Sequence, residues 1–275
     1  MVQLRVVLIL IIPNLAYGSA FLPKVGKYKI IASIEQKQFM QIKANHGSGN
    51  KNYNFHQEVN FNFNIERGIS EKISLSYNLE TTQTSAYKFF TQNMKTKKIE
   101  WASSEKHGYF PKKFASNTLG VKYKLYDYNM NAISYGTSFK QMYGRKYSIE
   151  NRILFGKTFK KRGNNSNFIG IEFGYVNPIT YGEESANFNF NVGIWGKKKK
   201  LYIFEIIHYY RVNYFDPITK TKYPEQAHHS ELKLQVSVVK QLKKGIFLQQ
   251  GTYYLLNSNS NFNSTGIILA LWFDL

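Results

Sequence analysis

Residues able to do covalent chemistry are few. His228, His229 and Ser230 set a base beside a hydroxyl, the minimum from which an activated nucleophile is built. Ser230 shares strand parity with Leu232 and Leu234, which would put it and His228 on one apolar face. No third residue is placed to orient an imidazole. Adjacent histidines also point apart in an extended chain, so neither a catalytic residue nor a metal site is assigned and the chain reads as a non-enzyme. There is no cysteine, which excludes disulfides, thiolate metal sites and thiol catalysis. No phosphate-cradling glycine loop or dinucleotide fingerprint is present, and no cofactor is expected.

A second group of ionisable residues is more regular. Glu58, Lys72, Glu80, Lys122, Lys124, Glu150, Arg152, Glu172, Glu231 and Lys233 occupy the polar positions of segments in which every other residue is apolar. Turned toward a common interior, they could line a selective solute path. They could equally fill a narrow interior as ion pairs, because buried charges must be matched.

The elements that position them are strands. From Tyr53 to Ile65 one parity reads Tyr53, Phe55, Gln57, Val59, Phe61, Phe63 and Ile65, and the other reads Asn54, His56, Glu58, Asn60, Asn62 and Asn64. An extended chain puts these on opposite faces, whereas a helix would scatter them. The same alternation recurs around Ile73–Leu79, Leu119–Leu125, Ile133–Phe139, Tyr147–Phe155, Ile169–Tyr175, Phe188–Ile194 and Leu232–Val238. Weaker strands run near Val25–Phe39, Leu201–Arg211 and Ile246–Leu256, and a last one from Thr265 to Leu275. The total is about twelve, an even number that suits a closed barrel.

Connection lengths alternate as well. Short ones are expected at Glu66–Glu71, Tyr126–Met130, Lys160–Asn167, Gly196–Lys200 and Gln241–Gly245. Longer ones are expected at Met40–Asn52, Ser85–Lys113, Asn177–Ser185, Val212–His228 and Asn257–Ser264, with Gln141–Lys146 a short exception among them. Odd and even connections of an up-and-down barrel lie on opposite rims. The expected fold is therefore all-β: an up-and-down antiparallel transmembrane barrel of about twelve strands, with residues 21–275 as one domain.

Met1 to Ala20 has the layout of a signal peptide: Arg5, the apolar run Val6–Ile12, a break at Pro13-Asn14, then Ala16, Gly18 and Ala20. Cleavage is expected after Gly18 or Ala20. The apolar run is shorter than the roughly 20 residues of a spanning helix. The 275 residues include 21 Tyr and 21 Phe, a composition that favours strands and membrane interfaces. A mean hydropathy of −0.39 argues against a bundle of spanning helices but not against alternating strands. The formal charge of +20 would attract phosphates. The lysines lie along turns, however, as in Lys160-Lys161-Arg162 and Lys197–Lys200, which is the pattern of solvated connections.

The last strand, Gly266-Ile267-Ile268-Leu269-Ala270-Leu271-Trp272-Phe273-Asp274-Leu275, resembles the C-terminal strand of Gram-negative outer-membrane barrel proteins. The resemblance implies that Phe273 and Leu275 form the signal read by the barrel-assembly machinery, although the family ends in Phe and this chain in Leu. Phe21-Leu22-Pro23-Lys24-Val25-Gly26 resembles the start of small barrels grouped with hydrocarbon or phenol-pathway transport proteins. These likenesses imply an outer-membrane location, contact with lipid and lipopolysaccharide, and passage of small solutes. A surface interaction protein, an adhesin or lipopolysaccharide-contacting barrel without transport, is the alternative, and a lipid-modifying enzyme working through Ser230 is the last. Nucleic acid is not an expected partner.

Overall fold

The computed structural model describes residues 20–44, 50–93, 96–97, 99–101, 112–142, 146–160, 166–180, 182–196, 200–216, 221–223, 230–257 and 264–275. They form strands β1 (Tyr28–Ala44), β2 (Asn50–Gly68), β3 (Ile73–Asn93), β4 (Ile99–Trp101), β5 (Lys112–Tyr128), β6 (Asn131–Met142) and β7 (Lys146–Lys160). The second half adds β8 (Ser166–Pro178), β9 (Gly182–Trp195), β10 (Lys200–Asp216), β11 (Thr221–Tyr223), β12 (Ser230–Lys243), β13 (Ile246–Asn257) and β14 (Ser264–Asp274). No helix occurs among the described residues.

The twelve long strands make one closed ring. Each pairs antiparallel with its neighbours in the chain, and β1 closes on β14 in a register running from Lys29↔Asp274 to Gln38↔Thr265. Closure leaves no edge of unpaired N–H and C=O groups, which is the condition for strands to cross hydrocarbon. The short β4 and β11 pair only with the outer ends of β3 and β10.

Strand parity sets the two faces as the alternation predicts. Phe61, Leu75, Leu119, Val121, Ile153, Phe173, Phe204, Val236, Ile267, Leu269 and Leu271 are exposed on the outside, Phe61 by 50%. Ser74, Asn78, Lys122, Arg152, Glu172, Glu205 and Gln235 are buried on the inside. A water-soluble protein has the opposite arrangement. Rings sit near the strand ends, where Phe139 stacks on Tyr147 at 5.6 Å and Arg67 lies over Tyr28. Outward amides are satisfied by outward hydroxyls: Tyr77 donates to Asn117 at 2.9 Å and Tyr135 to Asn151 at 2.7 Å. Such pairing spares the lipid face bare polar atoms.

The short connections are hairpins. Asn129 and Met130 both have positive φ, +48° and +68°, the two-residue turn whose twist matches the flanking strands. On the opposite rim the expected long loops are partly strand. β3 has 21 residues and β2 has 19, while about 9–11 suffice to cross the membrane. Pairing of β1 with β2 and of β2 with β3 simply continues outward, through Ala44↔Lys51 and Asn50↔Asn93. Residues expected in the loops Met40–Asn52, Ser85–Lys113 and Val212–His228 thereby extend the wall. Met1 to Ser19, within the expected signal segment, lie outside the described residues.

Candidate functional site

The barrel interior is filled differently at its two ends. At the rim of the short turns, Phe168, Trp195, Leu201, Ile203, Val239, Phe247, Ala270 and Trp272 form one buried apolar cluster, with Ile31 packed on it. These side chains come from β8 through β14 and point inward. Opposite them, the chain before β1 turns into the lumen. Ala20 and Leu22 are buried, and Ala20 packs with Ala132 and Leu154 while Phe21 flanks them. Ser134 donates its hydroxyl to the Ala20 carbonyl. Gly156 makes the room, since a Cβ there would come within 2.7 Å of the Phe21 ring. Hydrogen bonds from Gly26 N–H to the Gly68 carbonyl (2.8 Å) and from Gly68 N–H to the Lys27 carbonyl (3.1 Å) hold this segment to the end of β2.

Above these fillings lies an ionic network. Glu66 accepts from Ser74 at 2.6 Å and from Lys122 at 2.9 Å, with Lys29 directly across on β1. Arg152 is shared by Glu172 at 3.4 Å and Glu150 at 3.9 Å, and Asn187 donates to Glu150 at 2.9 Å. Lys140 approaches Glu80 at 3.6 Å, and Ser116 donates to the same carboxylate at 3.3 Å. Lys233 on β12 reaches across two strands to Glu35 on β1 at 2.9 Å, passing 4.3 Å above the Tyr253 ring. The glycine at 266 permits this, because a Cβ there would stand 2.2 Å from Tyr253 Cζ. On the same side Gln235 donates to Glu205 at 3.2 Å, and Gln249 donates to Ser237 at 3.0 Å.

A cavity of about 660 Å³ opens within this network. Its wall holds Glu80, Glu150, Arg152, Glu172 and Lys233 from the sequence-derived set, together with Glu35, Lys140, Asn189 and Glu205. Lys122 is in the lumen wall below it. Lys124 lies at the short-turn rim, bound to Asp127 at 2.8 Å. Lys72 is a correction: it sits exposed in the turn before β3, because the β2–β3 hairpin turns at Ile69–Lys72 and not at Glu66–Glu71. That shift also brings Glu66 into the wall as the partner of Lys122. Glu58 faces Lys37 across the β1–β2 pairing and hydrogen-bonds Asn60 at 3.0 Å. Glu231 is half-buried at the start of β12. Ser230 is half-buried at the same rim, and its would-be partners His228 and His229 lie outside the described residues. No group of three or more His, Cys, Asp or Glu side chains is arranged to hold a metal ion among the described residues.

No family model and no curated protein matches the chain. Solved structures do match. The COG4313 outer membrane channel from Pseudomonas putida F1 superposes with a TM-score of 0.62 at 10% identity, over 96% of this chain and 100% of that one. The NanC porin gives a TM-score of 0.54 at 9% identity, over 89% of this chain and 100% of that one. At such identities the likeness is one of fold. Closed ring, lipid-type exterior and polar interior agree with it: the chain has the fold of the outer-membrane β-barrel channels and porins.

Proposed function

We propose that the protein is an outer-membrane pore for small hydrophilic solutes, with the short turns in the periplasm and the long connections outside. The single observation that carries this is the cavity of about 660 Å³ walled by hydrogen-bonding and charged side chains inside an apolar exterior. A barrel that served only to display its loops would gain nothing by keeping a roomy polar interior. The lumen charges fix the water and polar groups that a solute would exchange for its own hydration. Phe273 near the end of β14 and the exposed Leu275 just beyond it suit a signal read by assembly machinery from the lipid side.

The test is planar-bilayer recording on refolded protein whose heat-modifiable gel migration shows an intact barrel. Discrete single-channel steps are expected. An intact barrel that carries no current, even with residues 20–24 deleted, would favour the surface-interaction reading instead.

A further inference from the structure

We propose that Glu172, Asn189, Glu205 and Gln235 form a binding site for the ammonium or guanidinium group of a small organic cation. The inference takes its access route from the pore reading above and adds the class of solute.

The four residues come from neighbouring strands. Asn189 on β9 stands directly across from Glu172 on β8, and Glu205 on β10 directly across from Gln235 on β12. All four line the same cavity, and each is at most 5% exposed. Each carries an oxygen to which no side chain or backbone group donates among the described residues: Glu172 Oε2, Asn189 Oδ1, Glu205 Oε1 and Gln235 Oε1. The amide orientations are fixed by their other contacts. Gln235 Nε2 donates to Glu205 Oε2 at 3.2 Å and to Ser237 at 3.3 Å, and the Asn189 side chain hydrogen-bonds Glu205. Turning either amide would forfeit those bonds. The four oxygens left over are therefore all acceptors, two of them carboxylate, with the Arg152 guanidinium on the other oxygen of Glu172.

Charge points the same way. The cavity wall holds five glutamates against four lysines and arginines. Lys233 is bound to Glu35, Lys140 to Glu80, and Arg152 is divided between Glu150 and Glu172. Glu205 forms no ion pair among the described residues, although it is 1% exposed. A buried carboxylate needs a counter-charge, and unmet acceptors need donors. Ammonium supplies three N–H donors and guanidinium five, and neither has a lone pair to clash with the surrounding oxygens. An anionic solute would bring only acceptors to these oxygens, and a neutral hydroxyl brings a donor but no counter-charge for Glu205.

The experiment is calorimetric titration of the detergent-solubilised full barrel with n-butylammonium chloride, with sodium butyrate and potassium chloride as comparison titrants. Butylammonium binding is expected. It should weaken at least tenfold in Glu205→Gln and be retained in Glu71→Gln, which removes the same charge from an exposed turn. Glu172→Gln provides a second variant should Glu205→Gln fail to fold. Butyrate binding as well as butylammonium, potassium competing at equal concentration, or a folded Glu205→Gln or Glu172→Gln barrel that binds unchanged would each overturn the proposal. Current without butylammonium binding sinks the site and leaves the pore. Binding without current does the reverse.

Discussion

The lumen has two unlike walls. Across β2, β3, β5 and β7 the inward positions carry Glu66, Ser74, Asn78, Glu80, Lys122, Glu150 and Arg152, linked by ion pairs and hydrogen bonds. Across β13 and β14, from Phe247 to Trp272, the described inward positions are Phe247, Gln249, Gly251, Tyr253, Leu255, Ser264, Gly266, Ile268, Ala270 and Trp272. That wall carries no charge. Both stabilise the interior, but they tolerate insult differently. An apolar wall loses stability when a charge is introduced, because nothing nearby can pair it. A charged wall loses stability when one partner is removed, because the other is stranded.

The sharpest way to break the comparison is to put a carboxylate among the apolar side chains. Ala270→Asp, at a 2%-exposed position of β14 within the apolar cluster, should cost about 5 kcal/mol in urea unfolding followed by tryptophan fluorescence in lipid vesicles. Glu66→Gln comes next. It leaves Lys122 and Lys29 without their shared carboxylate and should cost about 3 kcal/mol in the same assay. Glu66→Met combined with Lys122→Met should regain part of that loss, since the buried pair is replaced by packed apolar groups while Lys29 keeps only Asp274 across from it on β14. If the double variant is worse than Glu66→Gln alone, the two walls are not energetically interchangeable. The smallest effect should come from Asp127→Asn, which breaks the half-exposed Lys124–Asp127 pair at the rim. A change above about 1 kcal/mol there would contradict the solvent-screened reading of that pair.

The charged wall was largely legible in the sequence, and the apolar one was not. Arg152 and Glu172 alternate with Ile153 and Phe173, so parity alone turned them inward. Glu205 was hidden because its neighbours on both parities, Ile203, Phe204, Ile206 and Ile207, are apolar and erase the period. Such a run indicates that both strand faces are covered without saying by what. Only the curvature of the barrel brings Phe168 on β8 and Trp272 on β14 together, across the strands that lie between them. Glu35 is likewise concealed in a weakly alternating strand, and Glu66 falls at the start of the connection expected at Glu66–Glu71, where Gly68 and Ser70 favour a turn. Nothing in the pattern of Phe21 to Gly26 indicated a segment that folds back inside, since such a segment has neither strand period nor a helix face.

That inward fold makes the two ends of the described barrel unequal as attachment points. Ala20 is 1% exposed inside the ring, whereas Leu275 is 58% exposed outside it. A bulky group attached at Ala20 begins in a confined space and must thread out past the mouth or displace Phe21 and Leu22. A reporter joined after Leu275 starts in the open, but next to the seam where the ring was last sewn shut.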